Sequence, residues 1–142
     1  MAKAKVIEDP DFGELRHETA NVWVRDFEIF HLGKKWNVEL YVSISDSGVE
    51  EDQRHAIQEF KSNAPELLAI AEREIRKYAG EYGISDTKFT ENVHPTAIGF
   101  PYAQWKPTLG ILYDVSWDES HGAAVRFEDG QFVEVGTQGV IL

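Results

Sequence analysis

The chain contains no cysteine, a single methionine and five prolines, and 14 basic residues stand against 25 acidic ones. Without cysteine there are no disulfides, thiolate zinc sites, iron–sulfur clusters or cysteine nucleophiles, and a reducing compartment fits. No segment approaches the roughly 18 consecutive apolar residues of a membrane-spanning helix. The first residues, Met1-Ala2-Lys3-Ala4-Lys5, carry no apolar core and no small-residue cleavage site, so a secretory signal is not expected and a cytoplasmic location is. The shortage of positive charge leaves a net charge of −11. It is not local: residues 1–48 hold 9 acids and 6 bases, 49–84 hold 8 and 5, and 85–142 hold 8 and 3. With each third negative, phosphate backbones and anionic lipids are repelled at long range. Neither nucleic acid nor a membrane is expected as a partner.

What is present describes a folded domain. The 142 residues are 42% hydrophobic and 12% aromatic, enough for one core, and no linker or repeat divides them, so 1–142 is expected to be a single domain. Trp36, Val38, Leu40, Val42 and Ile44 alternate with Asn37, Glu39, Tyr41, Ser43 and Ser45, the pattern of a strand with one buried face. Val22 to Phe30 reads as a strand too, and His31-Leu32-Gly33-Lys34-Lys35 joins the two as a hairpin turn. Phe12 to Arg16 adds a shorter strand.

The period then changes to helical. Ser47 with Glu50 has capping-box spacing, and Ala56, Ile57 and Phe60 follow. Asn63-Ala64-Pro65-Glu66 looks like a second start, with Leu67, Ala71, Ile75, Tyr78 and Tyr82 as its apolar stripe. Strand patterning resumes at Leu109, Ile111, Tyr113 and Val115, then at Ala123 to Phe127 and Gln131 to Val135, the last two joined by Glu128-Asp129-Gly130. Asn92 to Pro107, holding three of the five prolines, is expected to be an irregular excursion. The fold class expected is α+β, a mainly antiparallel sheet with two consecutive helices, or one long kinked helix, packed on one face.

The densest polar cluster is Trp117-Asp118-Glu119-Ser120-His121-Gly122, which sets two carboxylates and an imidazole within five residues. Such side chains bind divalent metals or move protons. The same residues equally make a connecting loop, with Asp118 bonding local backbone, Gly122 at positive φ and Trp117 anchored on the core. A metal site needs three or four convergent ligands; His94 is a further candidate, but no spacing ties it to the loop. Ser116 and Ser120 lack a nucleophile elbow, and neither phosphate-cradling glycine motif occurs. His17, His31 and His55, in polar contexts, are read as surface histidines. No catalytic residue, metal or cofactor is assigned. Trp105, within Phe100-Pro101-Tyr102-Ala103-Gln104-Trp105-Lys106-Pro107, lies off any periodic face, and an aromatic on a loop beside acids is material for a protein-binding surface.

Residues Ile111 to Gly122, followed by Val125-Arg126-Phe127 and Val133-Glu134-Val135-Gly136, resemble a bacterial family of uncharacterised domains. Its members carry a Trp-Asp-x-x-His-Gly signature between two strands. The resemblance extends over about residues 25–140, with Ala123-Ala124 standing where larger apolar residues are common. It implies no established activity. It does imply a genomic setting near toxin-neutralising immunity proteins of bacteria, and acidic immunity proteins can occupy the basic active sites of nucleases.

The function expected is therefore an acidic, immunity-like protein-binding module for a partner with a basic surface. Trp117, Asp118, Glu119, His121 and Trp105 are the binding residues. The alternative is a metal-dependent hydrolase built on the Trp117–Gly122 loop. Exposed sheet edges are also compatible with a homodimer.

Overall fold

The computed structural model describes residues 5–102 and 106–142. Eight strands form one sheet in simple sequential order: β1 (Val6–Asp9), β2 (Gly13–Thr19), β3 (Val22–His31), β4 (Lys34–Ser43), β5 (Val93–Phe100), β6 (Thr108–Val115), β7 (Ala123–Glu128) and β8 (Gln131–Gly136). A long helix, α1 (Glu51–Glu81), and a single turn of helix, α2 (Phe89–Asn92), separate β4 from β5. All neighbours pair antiparallel except β4 and β5, which are parallel. The exception follows from the connection, since a helical crossover returns the chain to the same end of the sheet whereas tight turns reverse it.

The β3–β4 hairpin forms as expected, turning at Leu32 and Gly33 with φ of 51° and 82°, the double positive φ of a primed turn. Asp129 and Gly130, with φ of 52° and 72°, do the same between β7 and β8. The strand expected over Phe12 to Arg16 is β2, running to Thr19, and β1 precedes it.

The helical stretch takes the kinked form of the expectation: Asn63 leaves helical geometry (φ −129°, ψ 25°), and Pro65 lacks the N–H that would continue the ladder. Three expectations are corrected. The cap of α1 is Glu50, not Ser47. The Gln53 carboxamide oxygen accepts the Glu50 backbone N–H at 2.9 Å, while its nitrogen donates to the carbonyls of Ser43 (2.7 Å), Phe100 and Pro101 (both 3.2 Å). Gln53 is fully buried, so this one side chain fixes the start of α1 over the ends of β4 and β5. The first half of the excursion expected over Asn92 to Pro107 is β5, an interior strand. Pro95, with no N–H for the ladder, is accommodated where the β5–β6 register slips between Pro95 and Ala97.

The core lies between α1 and one sheet face. Ala56, Ile57, Phe60, Leu67, Ala71 and Ile75 meet Leu40, Val42, Ile98, Ile111, Tyr113 and Val125. Arg54 pins α1 to the first strands through Asp9 (3.0 Å) and Asp11 (2.8 Å), and these bonds hold both carboxyls below their usual range, outweighing burial at Asp9. His31 is the third correction. It is 3% exposed, not a surface histidine, and its Nε2 lies 2.7 Å from the Tyr113 hydroxyl. The turn carbonyl of His31 accepts the Trp36 indole N–H at 2.7 Å, so the hairpin tip folds inward.

Candidate functional site

Strict alternation gives the sheet a second face, away from α1. On β4 it turns Glu39 and Tyr41 away from Val38, Leu40 and Val42, and on β6 it does the same for Leu112 and Asp114. The end of the chain covers part of this face: Ile141 packs with Leu112 and Ala124 and sits on Gly110. The Gln138 side chain donates to the Tyr113 carbonyl at 3.1 Å. Between this flap and β2–β4 lies a depression of about 950 Å³, bordered by Glu18, Glu39, Tyr41, Ala97, Asp114 and Arg126.

Tyr41 is part of its lining. Its register neighbour on β5 is Gly99, where any Cβ would collide with the phenol ring, so the glycine is what admits the ring. Tyr41 is 8% exposed, and its hydroxyl has no hydrogen-bond partner. Burial pushes its ionisation far up. Glu39 stands opposite Asp26 on β3 and Ala97 on β5. Burial raises its pKa, Glu18 and Asp26 add to the rise, and Arg16 opposes it. The terminal nitrogens of Arg126 are committed elsewhere, to Glu128 at 2.7 Å, Glu134 at 3.8 Å and the Val140 carbonyl at 3.3 Å, while its buried Nε has no partner. Neither Tyr41 nor Glu39 was singled out from the sequence, although a bulky aromatic on the polar side of an alternating strand was the available signal.

The Trp117–Gly122 segment joins β6 to β7 as a compact reverse turn. Trp117 is half-buried and stacks on Tyr82 near the end of α1 (centroids 5.2 Å, interplanar 14°), with Tyr78 tilted against it at 5.9 Å. Asp118 accepts both the backbone N–H and the ring Nδ1 of His121 at 3.0 Å, and these bonds hold its carboxyl below its usual range. Gly122, at φ 60°, lies under the Gln138 side chain, where a Cβ would clash with the Tyr113 carbonyl. The loop therefore has an internal use for Trp117, Asp118 and Gly122, while Glu119 and the His121 ring project into solvent. Trp105 lies outside the described residues.

His94 is not brought to His121. It pairs with Asp114 across β5–β6, approaches the Thr90 carbonyl at 3.1 Å and packs on Trp36. With Glu91, Asp114 and Glu119 it borders a second hollow of about 410 Å³. Asp114 borders both hollows, so the open face and the loop are contiguous. Among the described residues no group of three His, Asp or Glu side chains could hold a metal ion. Asp118–His121 is an oriented carboxylate–imidazole pair without a third member from Ser116, whose hydroxyl is spent on Asn92 at 2.6 Å.

These features define an α+β domain with a helix-covered face and an open, acid-lined face. The chain belongs to the family described as Domain of unknown function (DUF6985), whose model matches residues 11–142. No curated protein and no solved structure matches it. No helix among the described residues is long and apolar enough to cross a membrane.

Proposed function

We propose that this domain is a protein-binding module that captures a partner with a basic surface. The observation that carries the reading is the position of Asp114. It borders both hollows, so Glu18 and Glu39 line one side of it and Glu91 and Glu119 the other. Arg126, beside them, is already neutralised by Glu128 and Glu134. One exposed ion pair is worth only about 0.2–1 kcal/mol. A field from several carboxylates, however, steers a basic partner and orients it on arrival. Within this reading Glu119 and His121 are the loop side chains offered to the partner, Trp117 and Asp118 hold the loop in shape, and Trp105 is a further aromatic contact for the partner. The bacterial, cytoplasmic and immunity-like setting belongs to the same reading: an acidic domain seated on a basic active site. A second copy would meet like charge here, so self-association would use the edge strands β1 and β8. The hydrolase alternative has the Asp118–His121 pair to support it.

The test begins with the immobilised domain and a cell extract. Retained proteins are identified, purified and titrated individually at low and high salt. A basic partner is expected, with an affinity that falls steeply with salt and an association rate reduced by Asp118→Lys with Glu119→Lys. Salt-independent binding, unchanged by that double substitution and by Asp114→Lys, would refute the reading.

A further inference from the structure

The open-face depression has a chemistry narrower than negative charge. Among the groups it offers without partners are three oxygen acceptors, the carboxylates of Glu39 and Asp114 and the Tyr41 hydroxyl, beside the Nε–H donor of Arg126. We propose that this depression is the subsite for an arginine side chain of the basic protein partner, its guanidinium held by Glu39 and Asp114 and donating to the Tyr41 hydroxyl oxygen. The inference rests on the protein-binding reading above and names what that partner inserts.

Several observations converge on a guanidinium. It carries five N–H donors and no acceptor, which complements the Glu39 and Asp114 carboxylates, and its weak hydration lets it enter a half-buried site. A hydroxyl buried without a partner is a standing cost to the fold, and an arriving N–H removes it. The ring beneath is a face on which a planar cation stacks. The sheet has made specific room for that ring, since Gly99 is the one residue type that admits it. Glu39 is held among Glu18 and Asp26 in a half-buried position that disfavours its charge, so an incoming cation relieves an existing repulsion. Arg126 does not fill the role itself, because its terminal nitrogens are turned to Glu128, Glu134 and the Val140 carbonyl, and only its Nε is left without a partner. At about 950 Å³ the depression has space for a side chain and part of the segment that bears it.

The experiment uses a short blocked Gly-Arg repeat peptide, its citrulline counterpart of equal shape without charge, and spermidine as a small polyamine. Binding is followed by calorimetry and by backbone amide shifts. The arginine peptide is expected to bind about 10-fold or more tightly than the citrulline peptide, in line with the strength of charge-assisted bonds. Its shifts should map to Glu39–Tyr41, Ala97–Gly99 and Leu112–Asp114. Glu39→Gln and Asp114→Asn should each weaken it several-fold. Tyr41→Phe keeps the ring and removes only the orphaned oxygen. It should raise the melting midpoint while weakening the peptide, a pairing that a purely structural tyrosine would not give. Circular dichroism establishes that each near-isosteric variant is folded. Equal binding of the citrulline peptide would overturn the proposal, as would spermidine matching the peptide at equal charge. Shifts confined to residues 116–122 that survive Glu39→Gln would overturn this subsite alone and leave the protein-binding reading standing. That reading fails separately, in the salt titration of the purified partner.

Discussion

Acid should unfold this protein through His31 before it reaches the carboxylates. His31 is buried against the Tyr113 hydroxyl, and burial holds its pKa down to about 4 from an ordinary 6.5, with Glu72 opposing the drop. The unfolded chain therefore binds the His31 proton more readily than the fold does. Stability from this group is complete above about pH 6.5 and is lost as the pH falls toward 4. For those two values, linkage gives a loss of about 2 kcal/mol between pH 8 and pH 5, growing to about 3 kcal/mol at pH 4. In a domain of this size, 2 kcal/mol corresponds to a fall of about 8 °C in Tm. The assay is urea unfolding of the native chain and of His31→Gln at pH 8, 6.5 and 5. Glutamine does not titrate, and its carboxamide oxygen can accept the Tyr113 hydroxyl. Whatever repacking costs the variant at pH 8, its stability should be nearly flat across the range in which the native chain loses about 2 kcal/mol. Parallel curves for the two proteins would refute the argument, because the loss would then arise at other groups.

The remaining predictions concern the contacts that shape the two faces. Arg54→Met should cost about 2–4 kcal/mol, since it strips the buried Asp9 carboxylate of its cation, as read by urea unfolding at neutral pH. Because the carboxyls of Asp9 and Asp11 are held low, their contribution is present above about pH 4 and lost below it, so Arg54→Met should flatten the acid limb below pH 4. Trp117→Ala should remove the stack on Tyr82 and lower stability by about 2–3 kcal/mol, whereas Glu119→Ala should leave the melting curve unmoved. Gly99→Ala should cost about 1–3 kcal/mol through collision with the Tyr41 ring, and Tyr41→Leu in the same chain should recover part of it in a double-mutant cycle.

Much of the framework was legible before any tertiary structure. The alternation from Trp36 to Ile44 specified a strand with unlike faces, and Gly33 and Gly130 marked hairpins that turn where expected. The apolar stripe through Leu67, Ala71 and Ile75 specified a helix lying on that sheet. The Asn63-Ala64-Pro65 break was visible as well, as a second start or a kink, and packing of both halves on one sheet keeps the two segments in one kinked stretch. At the site, the loop motif was legible and its internal geometry was not. Nothing in the local sequence says that Trp117 stacks on Tyr82 or that Gln138 closes over Gly122.

The sequence by itself determined the periodic elements, the reversals between neighbouring strands and the acidic sign of the surface, because each depends on residues adjacent in the chain. Only the tertiary structure decided the rest. It made Val93–Phe100 an interior strand despite Pro95, since a central place in the sheet overrides a local breaker wherever a bulge can absorb it. It buried His31 by closing the hairpin tip onto Tyr113, and it laid the Tyr41 ring across Gly99 on a strand reached only after the whole of α1. It joined Glu39 to Asp114 and Glu119 in one acidic surface. These contacts link residues far apart in the chain, and no local pattern encodes which distant strand will lie alongside.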